Sequence, residues 1–175
     1  MKRLPVVLLV GLITGIAAAK PPLVEEGTIQ KVKDGDSYLV DVGERRPLEV
    51  RVAGIDAPEE VWPGRWQAQP HGLEAKAFAT RLLAGRHVRL ELRDTDRYGR
   101  SVGEVFVDGQ PVSHALVGAG LAWWNPHYAP HDTALQALQE EAQHARRGLW
   151  ADADPVPPWE YRRRSMPASK KGKAD

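Results

Sequence analysis

Five charged side chains are the residues of this sequence best suited to chemistry: Asp36, Arg51, Asp56, Glu59 and Arg100. They fall in two short segments. The first runs from Asp34-Gly35-Asp36-Ser37 to Arg51 and on through Asp56-Ala57-Pro58-Glu59; the second is Asp96-Arg97-Tyr98-Gly99-Arg100. Three carboxylates and two guanidiniums near one point combine a seat for a hard cation with a grip on phosphate. Metal-assisted phosphodiester cleavage needs that combination. Asp36 and Asp56 supply oxygen ligands, which suit Ca²⁺ or Mg²⁺ rather than zinc, whose sites prefer His and Cys. Glu59 is placed to orient or deprotonate a water held by the metal. Arg51 lies on the strand face opposite Val50 and Val52, and its planar fork matches two phosphate oxygens. Arg100 reaches the phosphate from a polar loop and stabilises charge at phosphorus and on the leaving oxygen. Each residue alone has a plain reading, as turn former, loop acid or solvated strand face. Their coincidence makes that reading weak for the set.

The elements that must position them are legible from periodicity. Thr28 to Lys33, Ser37 to Val42 and Leu48 to Ile55 alternate polar and apolar residues and are separated by Asp34-Gly35 and Gly43-Glu44 turns, a three-strand meander. Residues 20–26 read as a linker. Residues 60–70, holding Trp62 and Trp66, have no period and read as a loop. Leu73 to Leu83 carries a helical apolar face. His87 to Leu92 and Gly103 to Val107 are further strands. Pro111 suits a helix start over Val112 to Ala119. Asp132 suits the cap of a last helix, with Gly148 at its end. Five short strands with a helix after the third match an OB-type, five-stranded Greek-key barrel with three α-helices.

Bulk properties set the context. The 175 residues suit one domain, and there is no Cys, so packing rather than disulfides must hold it. Lys2 and Arg3, an apolar run from Leu4 to Ile16, and Ala17-Ala18-Ala19 read as a signal peptide over residues 1–19, too short to span a bilayer stably. The expected location is therefore secreted or periplasmic, with no membrane span after processing. Residues 20–160 hold 16 basic against 22 acidic residues, so the body presents no overall basic charge for a polyanion. Residues 161–175 hold six basic residues and one acid and read as a solvated, disordered tail. His127 and His131 are four apart, but Pro126 and Pro130 argue against a helical ligand pair there. Trp123 and Trp124 read as packing or half-exposed platform residues rather than base readers.

Taken together, Asp34-Gly35-Asp36, Arg51 through Glu59, Asp96 through Arg100, Gly120-Leu121-Ala122 and Gly148-Leu149-Trp150 resemble the thermonuclease, or staphylococcal nuclease-like, family in order and spacing over about residues 26–150. The resemblance implies a nuclease domain over residues 20–160 that cleaves DNA and RNA with one Ca²⁺, ahead of Mg²⁺ or Mn²⁺, as a monomer. It implies metal ligands at Asp36, Asp56 and the backbone carbonyl of Ala57, and catalysis by Arg51, Glu59 and Arg100. Arg97 and Tyr98 then hold a neighbouring phosphate and stack on sugar or base, as does Tyr128, stacking being worth roughly 1–3 kcal/mol per base. Ser37 and Ala57 stand where Thr is common in the family, and Pro126 where a second sugar-contacting Tyr is common. The alternative is a non-catalytic barrel of the same fold that binds nucleic acid, in which one or more of the five charged residues is expected to be missing. None is.

Overall fold

Alternation of buried and exposed side chains organises the chain into a closed barrel. The computed structural model describes residues 21–60 and 68–165. The expected signal peptide, Trp62, Trp66 and the last ten residues of the tail lie outside the described residues. Strands β1 (Leu23–Val32), β2 (Ser37–Asp41) and β3 (Leu48–Val52) form the expected antiparallel meander. A short strand, β4 (Ile55–Asp56), leads to helix α1 (Gly72–Leu83). Strands β5 (His87–Thr95), β6 (Ser101–Val107) and β7 (Gln110–Pro111) follow. Then come α2 (Val112–Gly118), β8 (Trp123–Trp124), α3 (Thr133–His144), a 3₁₀ turn at Gly148–Ala151, and α4 (Pro158–Ser165).

The main sheet runs β3-β2-β1-β5-β6-β7, and a parallel pairing of β3 with β6 closes it into a five-stranded mixed barrel. Register shifts between Ile29 and Lys31 on β1, and between Leu92 and Asp94 on β5, bend these strands as closure requires. Inward positions on successive strands supply Ile29, Tyr38, Val40, Val50, Val52, Val88, Leu90 and Val105. Helix residues Ala75, Ala79, Leu83, Val112, Leu116 and Leu135 cap this core. The barrel with an OB-type topology is thus as the alternation predicts.

Four details differ from the sequence reading. First, β1 begins at Leu23 inside the assumed linker, where Leu23 and Val24 pair with β5 yet stay exposed. Second, α3 ends at His144, before Gly148: the chain leaves the helix through Arg146 at φ 52° and then forms the 3₁₀ turn. Asp132 does cap α3, its carboxylate accepting from the Leu135 amide at 3.0 Å. Third, Ile55–Asp56 is a separate strand that pairs with Trp123–Trp124. Fourth, there are four α-helices among the described residues. The fourth takes in Tyr161–Ser165, which the sequence reading assigned to a disordered tail.

His71 stands at the start of α1, with one ring nitrogen 2.9 Å from Glu74 and the other 3.1 Å from Asp152. Burial works against charge on the ring, but the two carboxylates outweigh it and raise its pKa above the usual 6.5. A raised folded-state pKa contributes stability fully below the unfolded value and loses it as pH rises through the folded value. His71→Asn, which tolerates the residue's positive φ, is therefore expected to lower the melting temperature more at pH 5.5 than at pH 8.5. An equal drop at both would show the ion pairs to be without effect.

Candidate active site

Asp36 and Asp56 are the two buried acids from which the site is built, 2 % and 1 % exposed. Asp36 follows the β1–β2 turn, where its amide donates to the Asp34 carboxylate at 3.1 Å. The buried Tyr38 hydroxyl donates to the Gly35 carbonyl at 2.7 Å and pins that turn against the barrel. Gly35 is needed for close approach: a Cβ there would lie 2.7 Å from the Ala57 side chain and 3.0 Å from that of Ala75. Small residues at 35, 57 and 75 thus let the turn, the end of β4 and α1 meet. Asp56 is held by the pairing of β4 with β8, opposite Trp123. The rings of Trp123 and Trp150 meet edge to face at 4.3 Å, and the Trp124 indole donates to the Ala129 carbonyl at 3.0 Å. The two tryptophans pack, as expected, and by packing they fix Asp56.

Arg51 joins the two acids. Its side chain leaves β3 on the face opposite Val50 and Val52, as the alternation requires. Nη1 donates to Asp36 Oδ1 at 2.9 Å and Nη2 to Asp56 Oδ1 at 2.7 Å. Asp36 also accepts from the Ser37 hydroxyl at 3.1 Å and, through Oδ2, from the Ala57 amide at 2.7 Å. Burial disfavours the Arg51 charge, yet the neighbouring acids outweigh it and hold its pKa above the ordinary value. Asp34 is different: burial, reinforced by the charge of Asp36, pushes its carboxyl up to about 7.

Arg100 is fixed by its own loop. The Asp96 carboxylate accepts from the amides of Tyr98 and Arg100 at 2.9 and 3.0 Å and from Arg100 Nε at 2.7 Å. Burial acts to raise the Asp96 pKa, but these donors prevail and hold it below the usual value. Nη1 of Arg100 points to the Ser37 hydroxyl at 3.4 Å, one bond removed from Asp36. The parallel β3–β6 pairing causes this proximity, since Ser101 sits opposite Val50. Tyr98 is exposed and lies beneath both Arg97 and Arg100, 5.2 and 5.5 Å from ring centre to guanidinium carbon.

Glu59 is positioned through its backbone. Its carbonyl accepts from the Gln69 amide at 2.8 Å and its amide donates to the Gln69 side chain at 3.2 Å. A Cβ at Gly72 would lie 2.3 Å from the same Glu59 carbonyl, so α1 begins against this residue. Burial raises the Glu59 pKa, partly opposed by a neighbour that sequence reasoning missed, Arg162 of α4. Arg162 donates to Asp56 Oδ2 at 2.6 Å, to Asp56 Oδ1 at 3.1 Å, and to the Glu59 carboxylate. No local signal marks it, because its partners lie 106 and 103 residues earlier.

The structure therefore brings Asp36, Arg51, Asp56, Ala57 and Glu59 into one contact network, with Arg100 at its edge. It does not bring in Tyr128, which is 75 % exposed, stacks edge-on with His127, and forms no hydrogen bond with the network. Among the described residues no three His, Cys, Asp or Glu side chains converge as a metal cage. The donors present are two buried carboxylates and the nearby backbone. This all-oxygen set fits a hard cation that completes its shell with water, and does not fit zinc.

Residues 49–152 match the family model described as staphylococcal nuclease homologue. The chain belongs to the staphylococcal nuclease family. It is 40 % identical over 140 residues to an uncharacterized endonuclease of Escherichia coli O157:H7, covering 79 % of this chain and 85 % of that one. An uncharacterized endonuclease of Haemophilus influenzae is 33 % identical over 135 residues, 77 % of this chain and 71 % of that one. A probable staphylococcal-like nuclease of Oryza sativa subsp. japonica is 39 % identical over 120 residues, 67 % of this chain and 33 % of that one. As a member of the staphylococcal nuclease family the chain is a hydrolytic nuclease. Among its described residues no helix is long and apolar enough to cross a membrane.

Replacing Arg51 by Gln leaves the buried Asp36 without a counter-charge and Asp56 with Arg162 alone. Breaking such a pair typically costs about 3–5 kcal/mol. Urea denaturation of Arg51→Gln is expected to show a loss of this order, and a loss under about 1 kcal/mol would show that Arg51 is not what makes the acids' burial tolerable.

Proposed function

We propose that this nuclease hydrolyses phosphodiester bonds of DNA, and of RNA, with a single Ca²⁺ held by Asp36, Asp56 and the Ala57 carbonyl. The observation that carries the reading is the Arg51 bridge, which holds two buried carboxylates side by side within reach of Glu59 and Arg100. The bound cation would polarise a phosphoryl oxygen and lower the pKa of a coordinated water. Glu59, its basicity raised by burial, accepts a proton from the attacking water. Arg51, between the carboxylates, and Arg100, at the Ser37 hydroxyl beside Asp36, stabilise negative charge at phosphorus and on the departing oxygen. Tyr98, exposed beside Arg97 and Arg100, offers a stacking face at the mouth of the site, with Arg97 on the adjoining phosphate. Tyr128 is a further stacking residue on the 125–131 loop. The hydrolytic reaction balances: one water is consumed, one P–O bond forms at the attacking oxygen and one breaks at the leaving oxygen.

We further propose that the protein is exported through residues 1–19 and acts as a monomer. The support for export is the charged start, apolar run and small-residue site of that segment.

Two measurements test the reading. EDTA is expected to abolish plasmid cleavage while the circular dichroism spectrum is kept, and Ca²⁺ to restore cleavage. Failure of rescue with the fold retained would overturn the calcium assignment. Glu59→Gln and Arg100→Ala are each expected to lower kcat by about 10²–10³-fold, whereas exposed Arg81→Gln is expected to leave it unchanged. Wild-type rates in the first two variants would remove these residues from the chemistry.

A further inference from the structure

Arg162 is half-buried beside the acids of the site, and none of the roles above uses it. Its guanidinium forks onto both oxygens of Asp56, and the same Nη1 that meets Asp56 also meets Glu59. The residue lies beyond the segment matched by the family model. Asp56 Oδ1 already accepts from Arg51, so with Arg162 its two lone-pair directions are both taken. One oxygen of Glu59 is covered as well. A cation drawing on Asp56, and a water delivering its proton to Glu59, both need the region where one guanidinium now joins these two carboxylates.

We infer that Arg162 is an internal cation of this site, exchanged for the divalent ion, so that cation binding and release of helix α4 are coupled. The inference rests on the metal-binding reading given above. Of the two arginines on Asp56, Arg162 is the one able to leave. Arg51 is rooted in β3, which pairs on both sides within the barrel. Arg162 is carried by an eight-residue helix near the end of the described chain. That helix is moored by side contacts: the Tyr161 hydroxyl donates to the Ala68 carbonyl at 3.2 Å, Gln69 to the Val156 carbonyl at 2.5 Å, and Trp159 meets Trp123 edge-on at 5.9 Å. Beneath it lies a cavity of about 370 Å³ lined by Pro58, Gln69, His71, Trp123, Val156 and Tyr161 among others. A short helix beside an open pocket, held by side-chain contacts, opens at lower cost than a barrel strand. Charge supplies the drive. A divalent ion at the acids repels the Arg162 guanidinium and replaces its attraction to Asp56 with a stronger one.

Two experiments decide the matter. Isothermal titration with CaCl₂, without nucleic acid, is expected to show Arg162→Gln binding the ion about tenfold or more tightly than wild type, within the usual range of coupling between sites. Arg163→Gln removes the same charge from an exposed neighbour and is expected to bind like wild type. Affinity in Arg162→Gln no greater than in Arg163→Gln overturns the exchange. The second experiment needs no variant. Hydrogen exchange of the wild-type protein is expected to speed up at the amides of residues 161–165 when Ca²⁺ is added, and unchanged protection overturns the coupling. Outcomes for the two readings separate cleanly. Tighter ion binding in Arg162→Gln with no DNA cleavage by any form would overturn the nuclease mechanism and leave the exchange standing. Absence of Ca²⁺ binding in every form would overturn the exchange.

Discussion

Two carboxylates almost wholly removed from water, one on each side of a single guanidinium, set the terms for the rest of this molecule. Burying a charge is costly unless it is paired and hydrogen-bonded. Arg51 meets that condition for Asp36 and shares it with Arg162 for Asp56, and it reaches both acids because β2, β3 and β4 converge at one end of the barrel. The parallel β3–β6 pairing then decides what else arrives. It sets Ser101 against Val50 and thereby delivers Arg100 to the Ser37 hydroxyl. The closure that completes the barrel is the same contact that completes the charged site.

Close packing does the finer positioning. Gly35, Ala57 and Ala75 are small where three segments meet, and α1 starts so near the Glu59 carbonyl that Gly72 has no room for a side chain. Gln69 fixes the Glu59 backbone from both its amide and its carbonyl. Glu59 therefore depends on a helix start and a loop rather than on a strand. The acids have a rigid floor in the barrel, whereas the proposed base stands on the part of the fold shared with α4. A site built this way can keep its cation ligands fixed while the surroundings of its base change.

Much of this was legible in the sequence because it follows from periodicity. Alternation in 37–42 and 48–55 placed β2 and β3 and turned Arg51 away from Val50 and Val52. The turn at Asp34-Gly35 and the end of the third alternating run brought Asp36 and Asp56 to one edge. What was not legible has particular causes. Ile55–Asp56 and Trp123–Trp124 are two-residue strands, too short for any period to show. Leu23 and Val24 are strand residues whose side chains stay exposed, so their pattern carried no inside or outside. Asp34 looked like half of a turn, and only burial beside Asp36 makes its carboxyl titrate near 7. Arg162, in a run of three arginines followed by lysines, had the composition of a solvated tail. The pairing that makes it part of the site is long-range in sequence and depends on α4 and the segment before it docking over Ala68 and Gln69.

The acidic body gives these local arrangements their weight. Several of the described arginines outside the site are already matched: Arg45 with Glu25, Arg86 with Asp108, Arg89 with Glu91 and Arg147 with Glu141. Exposed pairs of this kind add little stability, but they neutralise part of the positive charge a polyanion would meet. Within the acidic body, attraction for nucleic acid then centres near Asp36, Asp56 and Glu59, where the fixed charge is three acids against Arg51, Arg162 and, at the edge, Arg100. A divalent ion adds two positive charges at that point. Were Arg162 also released from Asp56, its guanidinium would become available to phosphate, the group its fork matches best after carboxylate. On the proposed reading, the ion would make the site the point on the acidic body, residues 20–160, where nucleic acid is drawn most strongly.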